Sequence, residues 1–286
     1  MGLSWQQGPL ALKGVGRFLV PDPLPERLLF AEPARRRMRV RLGGEWIADS
    51  SDVVLLHEPG RYPVAYFPLA DVAPGALAPT DRVTTHRDLG ATAWFTVRGG
   101  AAEARRAAWR HVELPGHASE LTDRVAFAWR AMDAFYEEDE RIVGHAADLY
   151  HRNDIRTTSR HLVVYDGDRV VADTKRPLVL YESGFAPRWY VPRDDVDESA
   201  LTPVDEATFC PYKGIASYYD VGSHRQAAWS YREAWPEVRR VSGMISFQPD
   251  KIDVYLDGER LELEPGQSVT PHGVDRGLGV DEIRAR

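Results

Sequence analysis

Residues 48–72 read ADSSDVVLLHEPGRYPVAYFPLADV, and residues 172–196 read ADTKRPLVLYESGFAPRWYVPRDDV. The two segments align without a gap at a constant offset of 124, and the same register continues to residues 97 and 221. Glu58 aligns with Glu182, and Tyr66 aligns with Tyr190. A gapless match of this length is the mark of an internal repeat, so the sequence predicts one domain present twice.

The match resumes after a four-residue slip, where Ala108-Trp109 aligns with Ala228-Trp229 and Phe127 with Phe247. This gene-duplication pattern predicts two tandem domains separated by a linker. The expected boundaries are an N-terminal extension (1–30), a first repeat domain (31–140), a linker (141–158), a second repeat domain (159–262) and a C-terminal tail (263–286).

Both copies read as mainly β. Alternating apolar residues precede Gly43-Gly44 in the first copy and Gly167 in the second, which predicts a hairpin at each place. The spacing of apolar residues predicts further strands at 53–56, 64–67, 91–97, 125–128 and 134–136, and at 178–180, 189–191, 216–221, 244–247 and 252–256. Helix is expected only over 102–109 and as single turns over 71–77 and 195–201.

The composition is that of an ordinary globular protein. Of 286 residues, 43% are hydrophobic and 28% are charged, and the net charge is -7. Because nucleic-acid and anionic-membrane binders need an excess of Lys and Arg, the acidic balance argues against both partners. The single cysteine, Cys210, has no intrachain disulfide partner, and no stretch reads as a signal peptide or membrane helix, so a cytoplasmic location is expected.

Residues 208–219, TFCPYKGIASYY, resemble the family called domain of unknown function 427, which is also filed under a nucleotidyltransferase-type name, and the two copies together resemble its two-domain bacterial members. The likeness extends to residues 167–173, 182–184, 188–196 and 228–231, and the first copy resembles a diverged member. The resemblance implies antiparallel sheets in a tent-like or open-barrel arrangement and no settled activity. No phosphate-binding glycine-rich loop and no metal-binding carboxylate pair supports the transferase-type name.

The first copy departs from this motif. Residues 85–90, THRDLG, take the place of 209–214, FCPYKG, so the Cys, Tyr and Lys are replaced. The motif therefore places candidate chemistry in the second copy, while the first copy supplies either a different polar set or a structural partner.

Two residues of the motif are candidate catalytic groups. Lys213 is a candidate electrophile, anion anchor or amine nucleophile, and the alternative is a lysine packed over an aromatic surface. Cys210 is a candidate thiolate nucleophile if a base or positive charge lies nearby, and the alternative is an inert buried thiol.

A third candidate catalytic residue, Glu182, is expected near Arg188 and Tyr190, which alternation places on one face of a strand. An Arg and a Lys beside a Glu suit a small carboxylate- or phosphate-bearing substrate, with Glu182 as general base or as the partner of Arg188. A structural ion pair is the alternative. The expected substrate-binding residues are Arg188, Tyr190, Tyr212, Tyr218 and Trp229, although these aromatic residues also suit a core.

Three functions remain open at this point. The leading hypothesis is a cofactor-free enzyme of small-molecule metabolism, with acid–base or lysine-assisted chemistry in the second copy and with hydrolase, lyase and transferase reactions not distinguished. The alternatives are a small-ligand binding or sensing module and a structural pseudo-dimer. The nine histidines show no ligand spacing, so no metal and no cofactor is expected. The sequence leaves the oligomeric state open.

Overall fold

A computed structural model describes residue 25 and residues 27–262 other than 60, 147 and 184. The expected N-terminal extension, apart from residues 25 and 27–30, and the expected C-terminal tail lie outside the described residues. The chain divides into two compact units, Met1–Leu149 and Tyr150–Arg286. No helix among the described residues has the length and apolar character needed to cross a bilayer.

The first unit contains two antiparallel sheets. Its strands are β1 (Phe30–Pro33), β2 (Met38–Leu42), β3 (Glu45–Ser50), β4 (Val54–His57), β5 (Val64–Pro68), β6 (Leu77–His86), β7 (Gly90–Gly99), β8 (Ala102–His111), β9 (Arg124–Phe127), β10 (Ala134–Glu137) and β11 (Glu140–Ile142). The larger sheet has the order β1-β4-β5-β9-β8-β7-β6, and the smaller has the order β11-β10-β2-β3. Short 3-10 helices lie at Leu69–Asp71, Gly116–Leu121 and Trp129–Ala131.

The second unit repeats this topology strand for strand. Its strands are β12 (Asn153–Thr157), β13 (Leu162–Asp166), β14 (Arg169–Thr174), β15 (Leu178–Glu182), β16 (Arg188–Val191), β17 (Leu201–Cys210), β18 (Gly214–Val221), β19 (His224–Tyr231), β20 (Ile245–Phe247), β21 (Asp253–Leu256) and β22 (Glu259–Arg260). The sheets have the orders β12-β15-β16-β20-β19-β18-β17 and β14-β13-β21-β22. The 3-10 helices are Arg193–Asp195, Glu198–Ala200 and Pro236–Val241.

The predicted fold class is therefore confirmed: two homologous, mainly β units are built from open antiparallel sheets, and no sheet closes into a barrel among the described strands. In each unit the main core lies between the larger and the smaller sheet. In the second unit it contains Val164 and Val254 from the smaller sheet and Val191 and Phe247 from the larger. Burial of these apolar side chains provides the main driving force for packing the sheets together.

The outer face of each larger sheet, which points away from this main core, carries a second buried cluster. In the second unit that cluster includes Tyr190, Cys210, Tyr218, Trp229 and Tyr231, with Val238 and Val241 of a 3-10 helix packed on it. The first unit has a smaller equivalent around Tyr66, Leu121 and Ala126. These outer faces hold the polar residues described below.

The helix predicted over 102–109 is wrong, because these residues form most of strand β8. Alanine, glutamate and arginine favour a helix in isolation, but β8 pairs with β7 on one side and β9 on the other, and this pairing overrides local propensity. A bulge interrupts the β7–β8 pairing, and Arg106 has a φ of 53° there. Gln226, with a φ of 49°, marks the same bulge in the second unit.

Other expectations shift in detail. The helical turn expected over 71–77 is wrong: the 3-10 helix Leu69–Asp71 ends where that range begins, and β6 starts at Leu77. The turn expected over 195–201 contains the 3-10 helix Glu198–Ala200, which follows the 3-10 helix Arg193–Asp195. The expected linker contains a paired strand, since β12 (Asn153–Thr157) is hydrogen-bonded to β15. The pattern of alternation in these five residues is too short to reveal a strand without its partner.

Candidate functional site

The hairpin between β17 and β18 carries the sequence motif. Strand β17 ends at Cys210, and the turn that follows leads into β18, which begins at Gly214. Gly214 has a φ of +96°. A side chain at that φ is strained, so the glycine is required by the turn. The Lys213 amide donates to the Cys210 carbonyl at 3.2 Å, and the Trp235 amide donates to the Lys213 carbonyl at 3.2 Å, which fixes the lysine in place.

Lys213 points from this turn to the end of β15, where its ammonium donates a hydrogen bond to the Glu182 carboxylate. The two side chains are each only 8% exposed. The same carboxylate oxygen lies 3.1 Å from Nε2 of His151, whose side chain is 3% exposed. The His151 ring stacks on Tyr212 at a centroid distance of 3.8 Å and an interplanar angle of 14°. The structure therefore brings together Glu182, Lys213, Tyr212 and His151.

The charges of this cluster stabilise one another. Burial acts to raise the pKa of the Glu182 carboxyl, but the Lys213 ammonium and the His151 hydrogen bond outweigh burial and lower the pKa to about 2. Burial acts to lower the pKa of Lys213, but the charge and hydrogen bond of the Glu182 carboxylate counter burial, and the pKa stays above its usual value. Glu182 is therefore a carboxylate and Lys213 an ammonium at neutral pH.

Cys210 lies on the same side of the sheet and is 8% exposed. Burial raises the pKa of its thiol, although the charge of Lys213 acts in the opposite direction. The neutral thiol is therefore the resting form, and the arrangement does not generate a thiolate nucleophile at neutral pH.

The five expected substrate-binding residues also meet on this outer face. Tyr190, Tyr218 and Trp229 belong to its buried cluster, with Tyr212 packed against it. Tyr190 and Trp229 meet edge to face at 6.4 Å, and burial raises the pKa of Tyr190 to about 12. Arg188 is 6% exposed, and its Nη1 donates to the Ala186 carbonyl at 3.0 Å. Burial lowers the pKa of this guanidinium, while the Glu182 carboxylate opposes that effect.

The first unit contains a matching buried carboxylate with different partners. Glu58 aligns with Glu182 and has a side chain that is 3% exposed. It receives hydrogen bonds from Arg27 at 2.8 Å and from Arg61 at 3.4 Å, and it lies 2.9 Å from Nε2 of His86. His86 stands where the second unit has Cys210. The first copy thus supplies a different polar set, one of the two alternatives left open by the sequence.

A second network in the first unit joins Tyr66, Trp109, His111 and Thr92. Trp109 Nε1 donates to the Tyr66 hydroxyl at 3.2 Å, and this hydroxyl lies 2.9 Å from Nε2 of His111. The other ring nitrogen of His111 lies 2.9 Å from the Thr92 hydroxyl. Burial, together with the charge of His86, lowers the pKa of His111 to about 4, so the ring is neutral at pH 7.

Sequence reasoning missed His151, which was assigned to a linker. The signal that could have revealed it is its position 124 residues after Arg27, since both residues are basic and precede equivalent strands. Reasoning from motifs also missed Tyr231 and Ser246, whose polar atoms are buried on the same outer face. Among the described residues, no three His, Cys, Asp or Glu side chains form an arrangement suited to a metal ion.

Topology and site define a tandem β protein in which each unit buries one glutamate at the same place on its larger sheet. A family model described as domain of unknown function (DUF427) matches residues 30–138 and residues 154–258. The chain belongs to this family, with one copy of the family domain in each unit. No curated protein shows significant similarity to the chain.

Proposed function

We propose that the chain is an enzyme of small-molecule metabolism that needs no bound cofactor and that uses His151 in the second unit as its acid–base group. The observation that carries this proposal is the setting of His151: its Nε2 faces the Glu182 carboxylate, its ring stacks on Tyr212, and Nδ1 is buried without a hydrogen-bond partner among the described residues.

The hydrogen bond to Glu182 fixes the ring tautomer. A carboxylate only accepts hydrogen bonds, so in the neutral ring Nε2 of His151 carries the hydrogen and donates the hydrogen bond to Glu182. Nδ1 is then the unprotonated nitrogen, ready to take a proton from a substrate. A carboxylate that orients a histidine in this way is a recurring arrangement for proton transfer.

The neighbouring groups are less suited to that role. Lys213 is held as an ammonium by Glu182, which argues against an amine nucleophile. The pKa of Glu182 is about 2, which is too low for a general base that works near neutral pH. We assign Lys213 the task of keeping Glu182 ionised, and we assign Glu182 the task of orienting His151.

The first unit offers a contrast. His86 also faces a glutamate through Nε2, but its Nδ1 accepts hydrogen bonds from the backbone amides of Asp88 and Leu89 at 3.1 and 3.2 Å. Both nitrogens of His86 are therefore engaged within the protein. This difference supports the second unit as the reactive one and the first unit as its support.

A binding or sensing module is the second candidate function. It is favoured by buried hydrogen-bonding groups on the outer face of the second unit, such as Ser246 and Tyr231, which lack partners in the described part of the chain. A bound molecule would satisfy these groups without any turnover.

For either function we propose a cytoplasmic location and a small-molecule partner instead of nucleic acid or membrane. The net charge of -7 disfavours polyanionic partners, and the single cysteine suits a reducing compartment.

The experiment is a metabolite-library turnover screen, read by mass spectrometry, of the wild-type chain, His151→Gln and the matched control His86→Gln. We expect at least one metabolite to be consumed by wild type and by His86→Gln, and its consumption to fall by about 100-fold or more in His151→Gln. Equal consumption by His151→Gln would contradict the assigned role. Binding of a metabolite without consumption by any of the three proteins would favour the sensing module.

A further inference from the structure

A row of buried side chains crosses the larger sheet of the second unit. Ser246 of β20 lies directly opposite Tyr190 of β16 on one side and Trp229 of β19 on the other. Directly opposed residues of neighbouring strands share a face, so the three side chains point to the same outer side of the sheet. Each of them is at most 1% exposed. Tyr231, two residues after Trp229, joins the same cluster.

Several polar atoms in this row lack hydrogen bonds. Ser246 Oγ and the Tyr231 hydroxyl have no partner among the residues that the structure describes. The same is true of both amide atoms of Gln248, two residues after Ser246. Buried polar groups in folded proteins are nearly always paired, so such a concentration on one face requires an explanation.

The first unit shows that the fold itself does not need these atoms. Ala126 stands where the second unit has Ser246, opposite Tyr66 and Trp109. The hydroxyl of Tyr66 and the ring of His111, which replaces Tyr231, bond each other and their neighbours Trp109 and Thr92. At this position of the sheet, the polar side chains of the first unit are therefore hydrogen-bonded to one another. The second unit has donors and acceptors at the same position that no described residue satisfies.

Three buried charged side chains lie beside this row, and the carboxylate of Asp250 also acts on Arg188. Arg188 and Lys213 are cationic and Glu182 is anionic, and all three are buried. Arg188 stands two residues before Tyr190 on β16, so strand alternation puts its side chain on the same face as Tyr190 and Ser246. A buried cationic group beside hydroxyl groups is suited to an anionic ligand that also forms neutral hydrogen bonds.

We propose, building on the function proposed above, that the substrate is a compact hydroxylated monoanion of the hydroxycarboxylate class, bound with its anionic group near Arg188 and its hydroxyl group on Ser246 and Tyr231. A carboxylate accepts from the guanidinium, and a hydroxyl both donates and accepts, which matches the chemistry of the unused serine and tyrosine groups.

The test measures the thermal unfolding of the full chain with three probes at equal ionic strength: racemic lactate, neutral lactamide and propionate, which lacks the hydroxyl. A ligand of the folded state raises the unfolding temperature. We expect lactate to raise it most, propionate less, and lactamide not at all. Equal effects of lactate and lactamide, or no effect of lactate beyond that of sodium chloride, would overturn the proposal.

Three variants separate a ligand site from a structural network. Ser246→Ala and Tyr231→Phe each remove a hydroxyl that no described residue binds, so we expect each variant to abolish the rise in unfolding temperature caused by lactate. Without ligand, we expect both variants to be as stable as the wild-type chain or more stable. Tyr66→Phe in the first unit removes a group with two bonding neighbours, and should lower the unfolding temperature while leaving the lactate effect intact. If Ser246→Ala and Tyr231→Phe destabilise the chain as Tyr66→Phe does, ordered water satisfies these groups and the proposal fails.

The two proposals fail in different ways. Lactate binding does not depend on turnover, so a lactate effect combined with unchanged turnover in His151→Gln would refute the acid–base role of His151 and retain the ligand class, and a lactate effect without turnover of any metabolite would refute the enzyme and retain the ligand class. Turnover that depends on His151 but acts on a cationic or apolar metabolite would refute the ligand class and retain the enzyme.

Discussion

Arg27 and His151 stand 124 residues apart, and each contacts the buried glutamate of its own unit. Arg27 Nη2 lies 2.8 Å from Glu58 Oε2, and His151 Nε2 lies 3.1 Å from Glu182 Oε1. The duplicated fold has kept the carboxylate and its basic partner at the same place but has changed the partner from a guanidinium to an imidazole. That change converts a permanently charged contact into one that can transfer a proton.

Replacing Lys213 should destabilise the second unit strongly. In Lys213→Met the carboxylate of Glu182 stays buried and loses its main counter-charge, so we expect the free energy of unfolding to fall by about 3–5 kcal/mol. Urea denaturation followed by tryptophan fluorescence measures this change.

The double variant Glu182→Gln with Lys213→Met provides the control. Removing both charges leaves no isolated ion, so we expect it to recover at least roughly half of the stability lost in the single variant. If the double variant is as unstable as the sum of the two single variants, the pair does not interact as described.

The first unit should be destabilised less when its buried glutamate loses a counter-charge. Arg27→Gln leaves Glu58 in contact with Arg61 and His86, and Arg27 itself is 23% exposed. We therefore expect a loss of about 1 kcal/mol, measured in the same denaturation experiment. A loss as large as that of Lys213→Met would mean that Arg61 and His86 do not support the carboxylate.

The fold could be predicted from the sequence because its repeat is readable. The repeated positions include glycines that require positive φ, such as Gly90 and Gly214, and the central strands show apolar alternation. These patterns predicted two domains of the mainly β class. The edge strands were not predicted: β6 (Leu77–His86) and β17 (Leu201–Cys210) face solvent over much of their length, so their sequences show no regular apolar alternation. Strand β8 was mistaken for a helix because its stability comes from pairing on both sides, which local propensity does not contain.

Acid should destabilise the first unit through His111. The folded state lowers the pKa of this ring from 6.5 to about 4, so between these values the unfolded chain binds more protons. Stability from this residue is then complete above about pH 6.5 and is lost as the pH falls to about 4, by roughly 3 kcal/mol in all. Urea denaturation at both ends of this range measures the loss, and we expect His111→Gln to show a weaker pH dependence. An unchanged dependence in that variant would rule out His111 as its source.

Cys210 should react slowly with thiol reagents in the folded chain. Its side chain is buried and burial raises its pKa, so we expect labelling by a disulfide reagent to be about 100-fold slower than in the urea-unfolded chain, or slower still. Since the chain has a single cysteine, the labelled fraction reports this residue alone. Labelling at the unfolded rate would restore Cys210 as a candidate nucleophile.

Motif reasoning found part of the site. Glu182, Arg188 and Lys213 stand out because charged residues within apolar strand patterns need partners, and the structure brings them to one face. His151 could not be found in the same way, because its role depends on a contact between segments 31 residues apart that the topology alone creates. The hydroxyls of Ser246 and Tyr231, which have no partner in the part of the chain that the structure describes, were equally hidden, since an unpaired buried polar atom is visible only in three dimensions.

The central claim is that Glu182 is a permanent carboxylate which orients His151, and a titration of the Glu182 side-chain carboxyl carbon by NMR tests it most directly. Comparison of spectra from wild type and Glu182→Gln, both carrying carbon-13-labelled glutamate, assigns the resonance. We predict a pKa of about 2 in the wild-type chain, against the ordinary 4.5, and a higher pKa in Lys213→Met. A wild-type pKa at or above 4.5 would contradict the account, because Glu182 would then itself be a candidate to carry the proton assigned to His151.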